Sequence, residues 1–317
     1  MTTTEQTALT GLPMLLEEVE VVRVERLSPS FVRVELGSPA LADFGVDGPL
    51  YDQRIKLIFP GAHGLPSFDR STEEAAMASW YERPEEERGY MRTYSVRDVL
   101  GEGEDTRLVV DFVIHGPDDP SGPGGEWGAH AEVGQRLVAM VPRKGLPFGG
   151  IEFDPAGATR LLLVGDETAV PAIARILEDL PAEAKGSVFV EVPLAEDIQD
   201  LRTLPGISIT WLPRNGRPRG SEIHGAVLEL LGADVAEPVI DEVDPDLWET
   251  PTYSSSGEEV DVPVRTVGHE YDGLYAWIAG EAKVVTGLRR ALVRDRGIDR
   301  HQVCFMGYWR VGVAMRS

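Results

Sequence analysis

Arg92-Thr93-Tyr94-Ser95-Val96-Arg97 is the stretch on which the reading of this chain turns. Side chains two apart in a strand share a face, so Arg92 and Tyr94 point the same way. A guanidinium fork matches the oxygens of a pyrophosphate. A tyrosine beside it can lie flat against a ring system, and the Ser95 hydroxyl or Val96 amide can bond a ring nitrogen. Together these groups suit an extended dinucleotide with an aromatic head.

Outward from this stretch the first half of the chain reads as β. Phe31–Leu36, Asp52–Phe59, Arg107–Ile114 and Gln135–Val141 alternate as half-buried strands do. Ser28-Pro29, Gly37-Ser38-Pro39, Pro60-Gly61 and Gly101-Glu102-Gly103 punctuate them as turns. About six short strands in series, with one short helix near Trp127 to Glu132, predict a closed antiparallel barrel. The polar stretch from Ser67 to Arg88 reads as an exposed excursion between strands.

The second half changes rhythm. Thr159–Val164 is a continuous apolar run, the pattern of a parallel strand covered on both faces. Val170, Ile173, Leu177 and Leu180 then recur at helical spacing. Further strands are expected at Val188–Val192, Ile207–Leu212, Leu274–Ala279 and Val303–Met306, with helices at Ala226–Leu231 and Glu281–Arg294. Strands alternating with helices predict a parallel α/β sheet. The expected organisation is a flexible N-terminus (1–15), an antiparallel barrel (16–150) and an α/β domain (157–317). An acidic insertion at 232–272 interrupts that domain; it holds twelve acidic residues and one basic residue.

Composition narrows the chemistry. A formal charge of −23 repels nucleic acid and anionic membrane. No run is apolar enough to span a bilayer, and Met1–Thr10 is polar without a leader pattern, so a cytoplasmic location is expected. A single cysteine, Cys304, precludes an intramolecular disulfide, an iron–sulfur cluster and a thiolate zinc site. The six histidines show no ligand spacing, so redox chemistry must come from an organic cofactor. The segment from Lys283 to the C-terminus is basic, which in so acidic a chain hints at an anionic ligand.

Two further segments carry candidate chemistry. Asp111, Val113 and His115 share one face of a strand that runs into Gly116-Pro117-Asp118-Asp119-Pro120-Ser121-Gly122-Pro123-Gly124-Gly125, with Trp127 just beyond. A glycine-rich entry to a helix offers free backbone N–H groups to phosphate oxygens. Gly165-Asp166-Glu167-Thr168-Ala169-Val170-Pro171 joins the first parallel strand to its helix. It matches neither a P-loop nor Gly-x-Gly-x-x-Gly. Asp166 or Thr168 is placed to cap the helix, and such strand-to-helix crevices are where α/β sheets bind ligands.

In order and spacing, Arg92-Thr-Tyr-Ser-Val-Arg97, Asp111-Phe-Val-Ile-His-Gly116, Gly165-Asp-Glu-Thr-Ala-Val-Pro171, Trp277-Ile-Ala-Gly-Glu-Ala282 and Gly307-Tyr-Trp-Arg-Val-Gly312 resemble the siderophore-interacting proteins. That family consists of flavin reductases allied in fold to the ferredoxin–NADP reductases. The resemblance runs from about Glu18 to the end. It implies a six-stranded FAD-binding barrel followed by a nicotinamide-nucleotide domain. It also implies that Arg92, Tyr94, Ser95 and Val96 hold the flavin, with Asp111, Val113, His115, Gly125 and Trp127 completing the site. Gly165, Asp166, Glu167 and Thr168 are then expected near the nicotinamide, and Gly280, Glu281 and Ala282 in the pyridine-nucleotide cleft. One departure stands out: where the family has a small residue and a serine before the tryptophan, this chain has Gly124-Gly125-Glu126-Trp127.

The implied reaction is reduction of a ferric siderophore by NADH or NADPH through FAD, releasing Fe(II). Ferric iron is hard and held tightly by oxygen ligands, whereas Fe(II) is held far less well. Lys56, Arg143, Lys144 and Arg310 are the candidate cations for an anionic chelate; the chain has only four lysines. Arg202, Arg214, Arg217 and Arg219 are candidates for a 2′-phosphate. No side chain is assigned an acid–base role, no metal is expected to be held by the protein, and a monomer is expected. Two alternatives stay open at this point: a flavin reductase fed by ferredoxin, and a siderophore carrier without turnover.

Overall fold

The computed structural model describes residues 12–115, 122–155, 157–232, 248–250 and 271–312. Residues 1–11 of the expected flexible terminus, 116–121 of the glycine-rich loop and most of the acidic insertion lie outside them.

The first half holds β1 (Met14–Ser28), β2 (Phe31–Gly37), β3 (Arg54–Phe59), α1 (Glu73–Tyr81), α2 (Glu85–Arg88), β4 (Tyr90–Ser95), β5 (Asp98–Leu100), β6 (Arg107–Val113), α3 (Pro123–Ala129) and β7 (Arg136–Pro142). Its antiparallel sheet has the order β4-β3-β7-β1-β2-β6-β5. β4 and β5 are pieces of one segment that serves both edges. The Val96 N–H donates to Gln53 O at 2.8 Å, and the Arg97 N–H to Val109 O at 2.9 Å. The sheet thereby curls back on itself, with β4–β5 as one bent strand of six.

Period-two alternation fills the interior: Val32, Val34 and Leu36 from β2; Ile55, Leu57 and Phe59 from β3; Leu108, Val110 and Phe112 from β6; Leu137, Ala139 and Val141 from β7. β1 begins at Met14, and Leu12, Met14 and Leu15 are buried. This moves the start of ordered chain ahead of residue 16, because these apolar side chains have core partners. The 67–88 stretch also departs from expectation. α1 places Ala76 and Trp80 four residues apart on one face, and both are fully buried over Met14, Leu16, Ile58 and Met140 on the outer barrel wall. Thr72 caps this helix, its Oγ1 accepting from Ala75 N at 3.0 Å.

The second half comprises β8 (Arg160–Gly165), α4 (Val170–Asp179), β9 (Lys185–Val192), β10 (Gly206–Pro213), α5 (Ser221–Leu230), β11 (Trp248–Glu249), β12 (Leu274–Glu281), α6 (Ala282–Arg289) and β13 (Val303–Trp309). The sheet order is β10-β9-β8-β12-β13-β11, parallel throughout except for β11. α4 covers one face; α5 and α6 cover the other. The strand order reverses between β8 and β12, so the crevice for a ligand opens at their carboxyl ends.

Buried carboxylates fix one sheet against the other. Asp52, just before β3, accepts from Phe153 N at 3.0 Å and from the Trp277 indole on β12 at 2.9 Å. Asp197 accepts from Ser28 Oγ, Ser30 N and Ser30 Oγ at the β1–β2 turn, at 2.6, 2.9 and 2.8 Å. Arg97 makes a two-pronged pair with Glu178 of α4. These contacts set the width of the gap in which the site lies.

Candidate functional site

A cavity of ≈ 710 Å³ runs from β4 and the start of α3 to the β8–α4 turn and the end of β13. Its size falls within the range of roughly 300–1,000 Å³ usual for ligand pockets.

Arg92, Tyr94 and Ser95 all line it. In the β3–β4 register Tyr94 opposes Ile55 and Arg92 opposes Leu57, both barrel-facing, so the strand alternation delivers the shared face. Among the described residues the Arg92 guanidinium donates only to the backbone oxygen of Met91, at 2.7 Å. Burial pushes its pKa down. A desolvated cation without a carboxylate beside it is a seat for an anion. Tyr94 packs on Phe112 with ring centres 4.6 Å apart, and burial raises its phenol pKa. The glycine at 124 lets α3 press against Tyr94: a Cβ there would overlap the tyrosine hydroxyl. Gly125 also faces the cavity.

Asp111, Val113 and His115 also line the cavity. Both Asp111 oxygens are engaged by Arg33, at 2.7 Å each, so the carboxylate meets the cavity as half of an ion pair. The His115 ring lies 4.9 Å from that of Trp309. Two residues expected in the site do not line the cavity. Val96 is fully buried in the barrel core, where its N–H serves strand pairing. Trp127 packs against Phe59 and Phe112, at 5.1 and 5.3 Å between ring centres.

The β8–α4 turn divides between cavity wall and interior. Thr168 reaches the cavity, as does Pro171. Asp166 turns inward: Oδ1 accepts from Thr168 N at 2.9 Å and Thr168 Oγ1 at 2.6 Å, and Oδ2 from Glu281 N at 2.7 Å and Trp309 Nε1 at 2.8 Å. Gly280, at φ +150°, makes room for it, since a Cβ there would sit 2.7 Å from Oδ2. Burial and the charge of Glu167 push the Asp166 carboxyl up to about 7. Glu167 is fully buried in a fork-to-fork pair with Arg214, at 2.8 and 3.0 Å. Glu281 caps α6, accepting from Lys283 N at 2.8 Å and Val284 N at 3.1 Å. Gly165 and Ala282 are buried beneath these contacts, Gly165 against Ala169 and Ile173. Asp166, Glu167 and Glu281 therefore shape the cleft without facing into the cavity. Beside these local caps, Asp166 and Glu167 have partners far along the chain, Trp309, Glu281 and Arg214, which no local spacing announces.

Of the expected substrate cations, Arg310 lines the cavity. Lys56 lies beside it, its Nζ 3.2 Å from Oγ1 of the cavity residue Thr93. Arg143 and Lys144 stand elsewhere: they meet Phe44 and Asp43 at the end of β7 and are not among the cavity residues. The chain turns there to satisfy backbone pairing, which carries both side chains off the wall. Two residues of the wall lie outside every motif quoted from the sequence: Arg54 and Trp248.

An antiparallel barrel joined to a parallel sheet, with one cavity bridging the barrel strand and the strand-order reversal, defines a two-domain dinucleotide-binding protein. Two family models cover nearly the whole chain: "Siderophore-interacting FAD-binding domain" over residues 20–146 and "Siderophore-interacting protein" over 158–312. The chain belongs to the siderophore-interacting protein family, and its barrel half is that family's FAD-binding domain. It is 28% identical over 295 residues to the ferric vibriobactin reductase ViuB of Vibrio cholerae, covering 93% of this chain and 89% of that one. It is 29% identical over 301 residues to the NADPH-dependent ferric-chelate reductase of Escherichia coli, covering 92% of each. The crystal structure of a siderophore utilization protein from T. fusca superposes with a TM-score of 0.66 at 29% identity, covering 96% of each chain. The cavity fits FAD on its own terms, with an arginine that has no carboxylate partner among the described residues and an aromatic wall behind it. Among the described residues no helix is long and apolar enough to cross a membrane.

Proposed function

We propose that this chain is an FAD-dependent reductase of ferric siderophores that takes electrons from NADH or NADPH and releases Fe(II) in the cytoplasm. The observation that carries this reading is a single cavity reaching from the Arg92–Tyr94 seat to the β8–β12 switch point. The names of the relatives from Vibrio cholerae and Escherichia coli support it.

Bound FAD would supply the coupling of a two-electron donor to a one-electron acceptor. The residues of the chain do the rest. Arg92 would hold the pyrophosphate, beside the start of α3, where Gly124 and Gly125 keep the backbone bare. The Tyr94 ring would back the dinucleotide, and the Ser95 hydroxyl would be available to a ring nitrogen. Thr168 bounds the cavity where the pyridine nucleotide enters, on a turn that Asp166 and Glu167 keep rigid. Trp309 and His115 exclude water between the two halves. Lys56 and Arg310 offset the field of an acidic chain where an anionic chelate approaches.

Anaerobic addition of NADH, then NADPH, to the FAD-loaded protein tests this reading. Absorbance at about 450 nm, a property of oxidised flavin, should fall with one donor and return when a ferric chelate is added, with Fe(II) appearing in a ferrous-specific trap. A protein that takes up no FAD, or whose flavin neither donor bleaches, overturns the proposal.

A further inference from the structure

Successive side chains of a regular strand point to opposite faces. β13 breaks this rule at its end. Gly307 pairs with Gly280 of β12, and Trp309 pairs with the very next residue, Glu281, so Tyr308 is an extra residue in the ladder. A bulge of this kind re-aims a side chain. Tyr308 and Trp309, adjacent in the chain, both line the cavity. The Tyr308 ring is held from two directions. It stands edge-on to Trp277, at 6.3 Å and 85°, and runs nearly parallel to Trp248, at 5.9 Å and 16°. Trp277 is itself anchored to Asp52 through its indole N–H.

With the ring fixed, the hydroxyl has little choice of partner. Its Oη is shut off from solvent and makes no close hydrogen bond among the described residues. The side chain it faces is that of Ser95, at the end of β4 and itself a cavity residue. Burial pushes the Tyr308 phenol far above its ordinary range, and the Asp52 charge adds to this, so the group keeps its proton and acts as a donor. An enclosed O–H without an acceptor is costly, and the serine oxygen is the acceptor on offer. We infer that Tyr308 is a positioning residue for Ser95: its O–H donates to Ser95 Oγ, which leaves the serine proton to point into the cavity, toward a ring nitrogen of bound flavin. A serine hydroxyl alone rotates, and it presents a lone pair to the cavity as readily as a proton. A donor behind it settles which is presented and polarises the outward O–H. The inference deepens the proposed function, resting on its assignment of Ser95 to the flavin. It also gives the bulge in β13 a purpose: through it the second half of the chain acts on a cofactor seated by the first.

The test compares Tyr308→Phe, Ser95→Ala and the double variant of the full chain. FAD affinity is read by fluorimetric titration, and the flavin ring nitrogens by NMR of isotopically labelled FAD. Ser95→Ala should weaken FAD binding about 3–10-fold and move the resonance of the nitrogen it serves. Tyr308→Phe should weaken binding about 2–5-fold and move the same resonance part of the way. In the Ser95→Ala background, Tyr308→Phe should change neither quantity, because its effect passes through the serine. Apo-protein carrying Tyr308→Phe should melt no lower than the wild type, since the ring packing stays and an enclosed donor is gone. Losses that persist without the Ser95 hydroxyl overturn the inference. So does a Tyr308→Phe variant that leaves affinity and resonance unchanged while Ser95→Ala alters both, whether or not its apo-protein melts lower. If Ser95→Ala alters neither, the assignment of Ser95 to the flavin falls first and takes the inference with it.

Discussion

The indole N–H of Trp309 donates to Oδ2 of Asp166 across 2.8 Å, and the same oxygen accepts from Glu281 N at 2.7 Å. One carboxylate thus ties together the ends of β8, β12 and β13, the strands that frame the switch point. Trp309, held in this way, faces His115 at 4.9 Å and the Arg219 guanidinium at 5.0 Å.

The Asp166 carboxyl, raised to about 7, makes this tie depend on pH. An acid whose pKa is raised on folding adds stability when protonated. That addition is complete below the ordinary range near about 4 and is lost as pH rises through the folded value. The stability of the wild type relative to Asp166→Asn should therefore fall by roughly 2 kcal/mol between about pH 5 and about pH 8. Urea unfolding at both pH values measures this. The Trp309 indole N–H resonance should move with a midpoint near the same pH in the wild type and stay put in the variant.

Arg92 gives a prediction of two opposite signs. Its guanidinium is partly desolvated and, among the described residues, has only Met91 O as a hydrogen-bond acceptor. Arg92→Gln should weaken FAD binding about 10–100-fold, the loss of one or two charge-assisted hydrogen bonds. The apo-protein should melt no lower than the wild type, because an uncompensated cation has been removed. Fluorimetric FAD titration and thermal melting of the apo-protein read the two effects separately. A lower apo melting temperature would show that Arg92 serves the fold instead.

Gly124 should tolerate no side chain while Tyr94 keeps its hydroxyl. Gly124→Ala drives a methyl group into that hydroxyl, and overpacking of this kind costs about 1–3 kcal/mol. Tyr94→Phe in the same chain should recover part of the loss and not all of it, because the ring carbon Cζ would still lie 3.3 Å from the new methyl. A double-mutant cycle on urea unfolding and FAD affinity gives the coupling. Additive losses would mean that α3 moves off the strand instead.

The parts of this molecule legible in the sequence are those set by local periodicity. Alternation at Phe31–Leu36 and Asp52–Phe59 marks barrel strands, and the unbroken apolar run at Thr159–Val164 marks a parallel one. Arg92 and Tyr94 reach the cavity for the same reason, being two apart on one strand. A role fixed by a distant partner is not legible in the same way. Asp166 and Glu167 read as cofactor neighbours, but Trp309 and Arg214, 143 and 47 residues away, take up their carboxylates. Trp248 lay hidden in an acidic stretch without periodicity, and only pairing with β13 brings it to the wall. Asp52 and Asp197 clamp one sheet to the other through partners that no local pattern marks.

Arg214 belongs to the same class and yields the most exacting stability test. With Arg202, Arg217 and Arg219 it is a candidate for a 2′-phosphate, but it is buried and committed to Glu167, with Glu191 at 3.5 Å. Glu191 in turn accepts from Gly220 N at 2.8 Å and from Glu222 N and Ile223 N at 3.3 Å each, so its carboxylate occupies the start of α5. A nucleotide phosphate has neither Arg214 nor that helix start available to it. Replacing Arg214 with Met leaves two carboxylates buried without their cation, which costs about 3–5 kcal/mol. Adding Glu167→Gln removes one of the stranded charges and should return a substantial part. Arg217→Ala, at an exposed position paired with Glu222, should change stability by less than about 0.5 kcal/mol. If Arg214 instead met a nucleotide, Arg214→Met would raise KM for NADPH while leaving urea unfolding of the apo-protein nearly unchanged, an outcome opposite in both measurements to the one expected from the buried Glu167–Arg214–Glu191 contacts.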